Sequence, residues 1–305
     1  MHRTLIAVVG ATATGKTAVG EAVARRLGGE VVCADARQVF RELEIGTGRP
    51  TPAERASQPH HLFDLWGLGE RATAGAWARA AARMCEDAFA RGVTPVLVGG
   101  SGLYLKALQE GLHPEPPKDE AVRAALVAEC ESIGPEGMHA QLASLDPVAA
   151  ASLRPRDRQR ILRALEIVRV GGHPLSHWRS APRVPPLDAT WRTFELVSSA
   201  EVLATRITER TRTMWRDGLL EETRALLAAG HHEALVALAA IGYDEAIARL
   251  AGDMDEAQAE ARMNERTRQM AKRQRTWFRH QMAAESLDAD DPTSFDSLAA
   301  RIVGA

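Results

Sequence analysis

The sequence predicts an α/β fold: a P-loop-type parallel sheet flanked by helices, with a helical insertion domain. A short apolar, β-branched run at residues 4–9 predicts a buried first strand, and the helical spacing of residues 18–27 predicts the helix behind it. Apolar runs at residues 30–34 and 95–98 alternate with helical segments, which is typical of a parallel sheet. The pattern then changes, because residues 118–180 carry helical spacing and no convincing strand.

Proline-rich stretches set the predicted boundaries of the insertion. A stiff linker at residues 112–117 precedes it, and a second stretch at residues 182–186 closes it. We therefore expect a core formed by residues 1–114 and 187–305, and an insertion at residues 115–186.

The rest of the core is read in the same way. Apolar runs at residues 60–65 and 190–197 predict two more strands. Helical spacing predicts four more helices, at residues 73–91, 201–229, 255–280 and 292–303. His60 and His61 begin one of these strands, and we interpret each as a partly buried, hydrogen-bonded histidine.

The first predicted strand leads into the phosphate-binding pattern G-x-x-x-x-G-K-[ST]. Its eight residues are Gly10, Ala11, Thr12, Ala13, Thr14, Gly15, Lys16 and Thr17. Glycines let successive backbone N–H groups converge on one oxyanion, and the positive end of the following helix adds to the attraction. In such a loop Lys16 reaches the terminal phosphates and the Thr17 hydroxyl faces Mg²⁺. A chance glycine-rich turn is the alternative, and the strand and helix on either side disfavour it.

Two more loops follow predicted strands. Asp35 comes directly after residues 30–34, and a Gly-Gly-Ser-Gly run at residues 99–102 follows the fourth strand. Because the carboxyl ends of parallel strands meet at one edge of a sheet, we expect both loops and the P-loop to face the same crevice. Asp35 could act as a general base or merely cap a helix. Ser101 could contact a ligand or cap the next helix, and no Mg²⁺-binding Asp follows the strand, which disfavours an ordinary ATPase or GTPase.

Basic residues concentrate in two helical segments. The first cluster is Arg154, Arg156, Arg158, Arg160, Arg163 and Arg169, opposed in the sequence only by Asp157 and Glu166. The second cluster is Arg262, Arg266, Arg268, Lys272, Arg273, Arg275 and Arg279. Either face could simply be solvated, but two of them beside a phosphate site favour a nucleic acid, since Arg pairs with phosphate and stacks on bases. Trp277 either stacks on a base or belongs to the core.

Composition excludes several classes of protein. The three cysteines are widely spaced without a C-x-x-C pair, which argues against a disulfide framework or a zinc site and fits a reducing cytoplasm. No apolar run approaches the length of a membrane span, and the N-terminal residues do not resemble a signal peptide. The net charge of −2 conceals the local basic faces.

Taken in order, these motifs resemble those of the bacterial tRNA dimethylallyltransferase family, over nearly the whole chain. Besides the P-loop, the early matching stretches are Asp35-Ala36-Arg37-Gln38-Val39-Phe40, Ile45-Gly46-Thr47-Gly48-Arg49-Pro50, Pro59-His60-His61-Leu62-Phe63-Asp64 and Val98-Gly99-Gly100-Ser101-Gly102-Leu103-Tyr104. The later stretches are Asp157-Arg158-Gln159-Arg160-Ile161-Leu162-Arg163-Ala164-Leu165-Glu166, Ile241-Gly242-Tyr243 and Thr267-Arg268-Gln269-Met270-Ala271-Lys272-Arg273-Gln274-Arg275-Thr276-Trp277.

The resemblance implies a prenyl transfer from dimethylallyl diphosphate to N6 of the adenosine at position 37, next to the tRNA anticodon, with release of diphosphate. Residues 10–17 and Arg210 would bind the diphosphate, with Mg²⁺ as cofactor and Thr17 as its protein ligand. Lys16 would stabilise the leaving group, while Asp35 would accept a proton from the attacking amine and Ser101 would assist. The partners would be dimethylallyl diphosphate and the tRNA anticodon stem-loop, and we expect a cytoplasmic monomer that binds no membrane.

The same resemblance suggests the residues that contact tRNA. We expect them to be Asp35, Ala36, Arg37, Gln38, Ser101, Arg123, Gln159, Arg160, Ile161, Leu162, Arg163, Arg268, Lys272 and Arg273. The chain departs from the family's common residues at four places. Ala36 and Phe40 stand where Ser and Tyr are common, Ser101 stands where Thr is common, and Ala11 stands where Pro is common. The loss of hydroxyls at 36 and 40 concerns the fine positioning of the substrate rather than the class of reaction.

Three other functions are weighed against this one. A P-loop small-molecule kinase shares the loop and the strand-two Asp, but it does not explain the insertion or the second basic cluster. An adenylate isopentenyltransferase shares the chemistry and has less need for a basic insertion. A non-catalytic RNA-binding module does not explain Lys16, Thr17 and Asp35 together.

Overall fold

A computed structural model of the chain describes residues 3–304 and confirms the predicted parallel sheet. Its six strands are β1 (Thr4–Gly10), β2 (Glu30–Cys33), β3 (His60–His61), β4 (Pro95–Gly99), β5 (Thr190–Val197) and β6 (Glu285–Asp288). They lie in the order β3-β2-β4-β1-β5-β6, and each pair runs parallel. The strand that leads into the P-loop therefore lies inside the sheet, between β4 and β5.

Helices flank this sheet and account for most of the remaining chain. The described helices in the first part of the chain are α1 (Lys16–Leu27), α2 (Pro52–Ser57), α3 (Ala74–Ala90) and α4 (Gly102–Gln109). The middle of the chain holds α5 (Glu120–Leu145), α6 (Pro147–Ala151), α7 (Arg158–Gly171) and α8 (Leu175–Ser180). The remainder are α9 (Ala200–Arg216), α10 (Leu219–Ala228), α11 (His232–Leu238), α12 (Tyr243–Ala251), α13 (Glu256–Gln281) and α14 (Phe295–Gly304). Two 3-10 turns, Ile45–Thr47 and Pro292–Ser294, complete the elements.

Strand β1 forms because an apolar, β-branched run can be buried on both faces. Residues 5–10 are all buried, which is typical of a central parallel strand. Its register pairs Val8 with Val98 on one side and with Phe194 on the other. This register brings the carboxyl ends of β1, β2 and β4 to the same edge of the sheet.

Helix ends follow the capping chemistry of the sequence. The side chain of Thr73 accepts a hydrogen bond from the Ala76 N–H at the start of α3. Helix α13 begins with a capping box, in which Asp255 and Gln258 each accept the other's backbone N–H. The long basic helix thus has a fixed starting point.

Several elements differ from the prediction, and α2, α11 and α12 are helices that it did not include. The predicted strand at residues 60–65 is limited to His60–His61, because Leu62 adopts a left-handed φ of 65° and turns the chain away. The single helix predicted at residues 201–229 is wrong: Gly218, with φ 108°, separates α9 from α10. Strand β6 was not predicted, since Leu287 is the one buried side chain in a short polar edge strand.

The chain divides into two compact units. The first comprises residues 1–109 and 186–305 and contains the sheet. The second comprises residues 110–185, whereas the predicted insertion spans residues 115–186. Its helices share a separate apolar core that includes Leu126, Met138, Leu142, Ile161, Leu162 and Leu165.

Two findings bear on the expectations from composition. The cysteines Cys33, Cys85 and Cys130 are free thiols, and each is buried. Among residues 3–304 we find no helix with the length and apolar character needed to cross a bilayer.

Candidate active site

A cavity of about 440 Å³ lies in the first unit, at the carboxyl edge of the sheet. Its lining includes Lys16 and Thr17 from the P-loop, Asp35 after β2, and Gly99 and Ser101 after β4. The prediction that these three loops face one crevice is therefore confirmed.

The P-loop holds two residues in left-handed conformations. Gly15 has φ 88°, and a Cβ at this position would overlap the ring of Phe295, so only glycine fits. Ala13 has φ 66°, which costs a non-glycine residue roughly 1–2 kcal/mol. The Oγ1 of the buried Thr14 donates to the Ala11 carbonyl at 2.9 Å and braces this strained peptide.

Lys16 lies at the first turn of α1 and extends along the loop. Its Nζ donates to the Ala11 carbonyl at 2.5 Å. Burial lowers the pKa of Lys16 to about 8; the negative charge of Asp35 opposes this shift and the positive charge of Arg210 adds to it. An ammonium in this setting gains from an anionic ligand, because the ligand replaces the missing solvation.

Asp35 serves a structural role and faces the cavity at the same time. Its Oδ1 accepts the backbone N–H groups of Arg37 at 2.8 Å and Gln38 at 3.4 Å, which folds the chain after β2 into a tight turn. Within the described part of the chain, no protein group hydrogen-bonds its Oδ2. The capping alternative is thus partly correct, yet one carboxylate oxygen remains available for a substrate.

Ser101 lies against the same turn. Its Oγ accepts the N–H of Ala36 at 2.8 Å, and its own N–H donates to the Ala34 carbonyl at 3.1 Å. A Cβ on Gly99 would overlap the Ala34 carbonyl, so glycine allows β4 to approach β2 this closely. The Gly-Gly-Ser-Gly run therefore supports the loop that carries Asp35.

Arg210 reaches the cavity from α9. Its Nη2 donates to the Thr47 carbonyl at 2.9 Å, and burial lowers the pKa of its guanidinium. Five basic side chains and one carboxylate are found among the described lining residues: Lys16, Arg37, Arg210, Arg266 and Arg273 with Asp35. Arg266 is paired with Asp244 and Glu245, but the other four cations still outnumber Asp35, so the cavity carries a positive field suited to an anionic ligand.

A set of apolar side chains also lines the cavity, and sequence reasoning missed it. Its residues are Ile207, Met214, Ala240, Ile241, Tyr243, Met263 and Met270. They come from α9, α12, α13 and the segment before α12, where apolar spacing looks like ordinary core packing. The stretch around Tyr243 was among the matched motifs, and this was the only signal available in the sequence. Such a lining suits a small hydrocarbon group.

Thr17 is the lining residue whose hydroxyl could take part in holding Mg²⁺. No group of three or more His, Cys, Asp or Glu side chains suited to a metal ion occurs among residues 3–304. Mg²⁺ prefers one or two protein oxygens together with substrate phosphates and water. The donor set in the cavity fits that preference.

The expected tRNA contacts in the second unit differ widely in exposure. Gln159 and Arg160 are exposed, whereas the side chains of Ile161 and Leu162 are buried in the apolar core of this unit. The expected contacts of Ile161 and Leu162 are therefore wrong for their side chains, because α7 turns this face inward. Arg163 is half-buried.

The first basic cluster is more neutralised than its sequence indicates. Arg163 pairs with Glu115 at 3.0 Å and Glu166 at 3.1 Å, and Arg123 lies 3.8 Å from Glu166. Further ion pairs join Arg156 to Glu136 and Arg169 to Glu129. Carboxylates distant in sequence thus oppose a cluster that seemed to face only Asp157 and Glu166.

The second basic cluster divides between structure and surface. Arg266 pairs with Asp244 at 2.7 Å and Glu245 at 2.6 Å, which anchors α13 to α12. Arg268 and Lys272 are exposed and lie outside the cavity lining, whereas Arg273 lines it.

Trp277 belongs to the packed part of α13. A Cβ on Gly102 would overlap its indole, and the ring packs beside the buried Phe278. Of the two interpretations of Trp277, the geometry favours the core.

His60 and His61 are hydrogen-bonded, as expected. The side chain of His60 is buried, with Nε2 3.3 Å from Glu21 and Nδ1 2.9 Å from the Gln58 carbonyl. His61 lies 3.0 Å from Glu30. His60 also lines the cavity.

Comparison with known families gives two matches. The model of the IPP transferase family matches residues 38–281, and that of the isopentenyl transferase family matches residues 3–63. The chain is 41% identical over 302 residues to a tRNA dimethylallyltransferase of Parvibaculum lavamentivorans, covering 96% of each chain. It is 44% identical over 292 residues to a tRNA dimethylallyltransferase of Stenotrophomonas maltophilia, covering 93% of this chain and 92% of the relative.

Solved structures give the same result. The full-length tRNA isopentenylpyrophosphate transferase of Bacillus halodurans superposes with a TM-score of 0.69 at 32% identity, covering 99% of this chain and 96% of that one. A eukaryotic dimethylallyltransferase acting on tRNA superposes with a TM-score of 0.79 at 26% identity, covering 98% of this chain and 77% of that one.

Proposed function

Because the chain belongs to the IPP transferase family, we propose that it transfers a dimethylallyl group from dimethylallyl diphosphate to N6 of a tRNA adenosine and releases diphosphate. The chain is a tRNA-modifying prenyltransferase, and the adenosine is the one at position 37, next to the anticodon. The observation that carries this proposal is the cavity whose lining brings together Lys16 and Thr17 of the P-loop, Asp35, Arg210 and a set of apolar side chains.

The diphosphate binds at the basic end of the cavity. The backbone N–H groups that follow Thr12 in the loop of residues 10–17 cradle its oxygens, and Lys16 and Arg210 neutralise the charge that builds up as the allylic C–O bond breaks. The low pKa of free Lys16, about 8, supports this role, since bound diphosphate would restore the charged form.

The Thr17 hydroxyl is the protein group that would hold Mg²⁺ beside the departing diphosphate. When bound, the ion neutralises charge on the diphosphate oxygens. In this proposal the P-loop binds the diphosphate of dimethylallyl diphosphate, and the reaction does not require ATP.

Asp35 acts on the other substrate. The exocyclic amine of adenine is a poor nucleophile, and it becomes effective when it is oriented towards the allylic carbon with a carboxylate ready to take its proton. The Oδ2 of Asp35 is the atom we assign to this proton transfer, while Oδ1 keeps the turn in place. Ser101 holds that turn from the β4 side.

The adenosine has to leave the anticodon loop to enter the cavity. We propose that Gln38 and Arg273 contact the RNA near the cavity, that Arg268 and Lys272 contact its backbone, and that Arg123, Gln159, Arg160 and Arg163 of the second unit contact the anticodon stem-loop. We further propose that the active form is a cytoplasmic monomer, with all catalytic groups supplied by one chain.

The deciding assay incubates the protein with unmodified tRNA, dimethylallyl diphosphate and Mg²⁺, followed by nucleoside mass spectrometry. We expect isopentenyladenosine with wild-type tRNA and none with a tRNA carrying guanosine at position 37. A parallel incubation with ATP and small acceptors should give no phosphorylated product. Absence of isopentenyladenosine together with ATP-dependent phosphorylation would refute the proposal in favour of a kinase.

A further inference from the structure

The side chain of Gln274, on α13, joins two of the loops that border the cavity. Its Oε1 accepts the Thr12 N–H at 2.8 Å, and its Nε2 donates to the Gly100 carbonyl at 3.0 Å. One amide group thus uses both its acceptor and its donor on backbone groups of the P-loop and of the loop after β4. A Cβ on Gly100 would displace this amide.

A second contact from the same helix face meets the P-loop. Ala271, one turn before Gln274, is buried in a small apolar cluster with Ala11, and the half-buried Ala13 packs against that cluster. Positions three apart share one face of a helix, so Ala271 and Gln274 approach the loop together. The P-loop is therefore supported by α13, a helix that lies far from it in the sequence.

The loop needs this support because Ala13 is strained. Its left-handed φ of 66° persists only when neighbouring contacts fix the peptides on either side. Thr14 fixes the Ala11 carbonyl, and Gln274 fixes the Thr12 N–H. These contacts set the directions of the N–H groups that follow Thr12 in the loop.

We propose that Gln274 is a positioning residue that holds the P-loop in its diphosphate-binding conformation. The proposal rests on the proposed function for the identity of the ligand. Gln274 acts through the Thr12 peptide, and it couples the basic helix α13 to the phosphate end of the cavity. Its loss weakens the binding of the diphosphate and leaves the binding of tRNA intact.

The test compares Gln274→Ala with Gln281→Ala. Gln281 is an exposed glutamine on the same helix that accepts a hydrogen bond from Lys106 at 2.8 Å, outside the cavity. Loss of two backbone-directed hydrogen bonds should raise the KM for dimethylallyl diphosphate about tenfold in the Gln274 variant. The Kd for tRNA and the Tm should stay close to wild type in both variants, and the KM should be unchanged in Gln281→Ala.

Two more variants separate hydrogen bonding from packing. Gln274→Met keeps the volume without the polar atoms, and it should behave like Gln274→Ala; a wild-type KM would reduce Gln274 to a packing residue and overturn the proposal. Ala13→Gly in the Gln274→Ala background should recover part of the affinity, because glycine adopts the left-handed conformation without strain. A purely structural defect would show no such recovery.

Calorimetry with inorganic pyrophosphate keeps this inference separate from the proposed function. We expect wild-type protein to bind pyrophosphate about tenfold more tightly than Gln274→Ala does. If wild type binds pyrophosphate in this way but forms no isopentenyladenosine, the proposed function fails and the role of Gln274 stands. Equal pyrophosphate affinities, no binding by wild type, or a parallel loss of tRNA affinity would overturn the positioning role.

Discussion

The hydroxyl oxygen of Ser101 accepts a hydrogen bond from the backbone N–H of Ala36 at 2.8 Å. The N–H of Ser101 in turn donates to the Ala34 carbonyl at 3.1 Å. Asp35 lies between these two anchored residues, so the loop after β4 fixes the carboxylate that follows β2. The catalytic geometry is thus shared by two strands that are neighbours in the sheet and far apart in the sequence.

Ser101→Ala should lower kcat about tenfold, because the Ala36 N–H loses its acceptor and the Asp35 loop loses one of its two anchors. Ser101→Thr keeps the hydroxyl and should retain most of the activity. Steady-state kinetics with saturating tRNA checks both variants. An alanine variant with wild-type kcat would show that the loop is held without this hydroxyl.

Asp35→Asn should lower kcat by a factor of about 10²–10⁴, the usual range for loss of a general base. Asparagine keeps an oxygen for the N–H groups of Arg37 and Gln38, so the turn should survive and the Kd for tRNA should change little. Single-turnover rates and filter binding measure the two effects. Asp253→Asn, at an exposed position, is the matched control. Equal losses in rate and in tRNA affinity would make Asp35 a binding residue.

The pH dependence of kcat/KM for dimethylallyl diphosphate should follow Lys16. Its pKa of about 8 means that the free enzyme loses this charge as the pH rises through 8, and kcat/KM should then fall about tenfold per pH unit. Lys16→Arg keeps its charge at these pH values and should show no such fall, at a lower overall rate. An unchanged wild-type profile up to pH 9.5 would contradict the role of Lys16.

The lowered pKa of Lys16 affects stability in the opposite direction: activity should fall as the pH rises, whereas the free energy of unfolding should increase. The pKa of Lys16 is lower in the folded protein than its ordinary value of 10.5, so the unfolded chain binds more protons between about 8 and 10.5. Burial of this charge therefore destabilises the fold below pH 8, and the penalty is relieved as the pH rises through that window.

Arg49→Ala should destabilise the catalytic unit by roughly 1–3 kcal/mol. The buried guanidinium of Arg49 donates to the carbonyls of Phe40 and Arg41 and pairs with Asp64 and Glu44. Its removal leaves the two carbonyls without this donor, whereas both carboxylates are about half-exposed and Asp64 keeps its pair with Arg55. Denaturant unfolding measures the change. Arg41→Ala removes an exposed pair with Glu70 and should cost less than about 1 kcal/mol. Similar values for the two variants would show that the buried network contributes little.

Arg160→Ala and Leu162→Ala should have contrasting effects, since the two residues lie two positions apart on α7. Exposed Arg160 should contribute to tRNA binding, and its loss should reduce the salt dependence of log K by about one unit without changing stability. Leu162 is buried, and Leu162→Ala should lower the free energy of unfolding by about 2–5 kcal/mol. Salt-dependent tRNA binding and thermal unfolding distinguish the two. A variant of Arg160 with an unchanged salt slope would remove this residue from the interface.

The sequence was sufficient for five of the six described strands and for the loops at the carboxyl edge of the sheet. An apolar β-branched strand, a glycine-rich loop and a helix form a local pattern, and the parallel-sheet rule brings Lys16, Asp35 and Ser101 together without knowledge of side-chain contacts. The helical structure of the two basic segments was also predicted from the local spacing of their residues.

The parts that could not be predicted depend on contacts between distant segments. Nothing in the sequence around Arg163 indicates its pairing with Glu115, and nothing near Gln274 indicates that it reaches Thr12. The break at Gly218 was missed because a single glycine is compatible with a continuous helix. Strand β6 was missed because an edge strand with one buried side chain lacks the alternation that identifies strands.

The contact between Gly15 and Phe295 has a consequence for the order in which the molecule is completed. Synthesis proceeds from the N-terminus, so the phosphate loop leaves the ribosome long before the side chain that packs on it. Strands β5 and β6, which finish the sheet beside β1, also follow the insertion. A growing chain therefore lacks the support of Gln274 until α13 has formed, and that of Phe295 until α14 has formed. Activity should appear late in translation and abruptly, rather than in proportion to the length of chain already made.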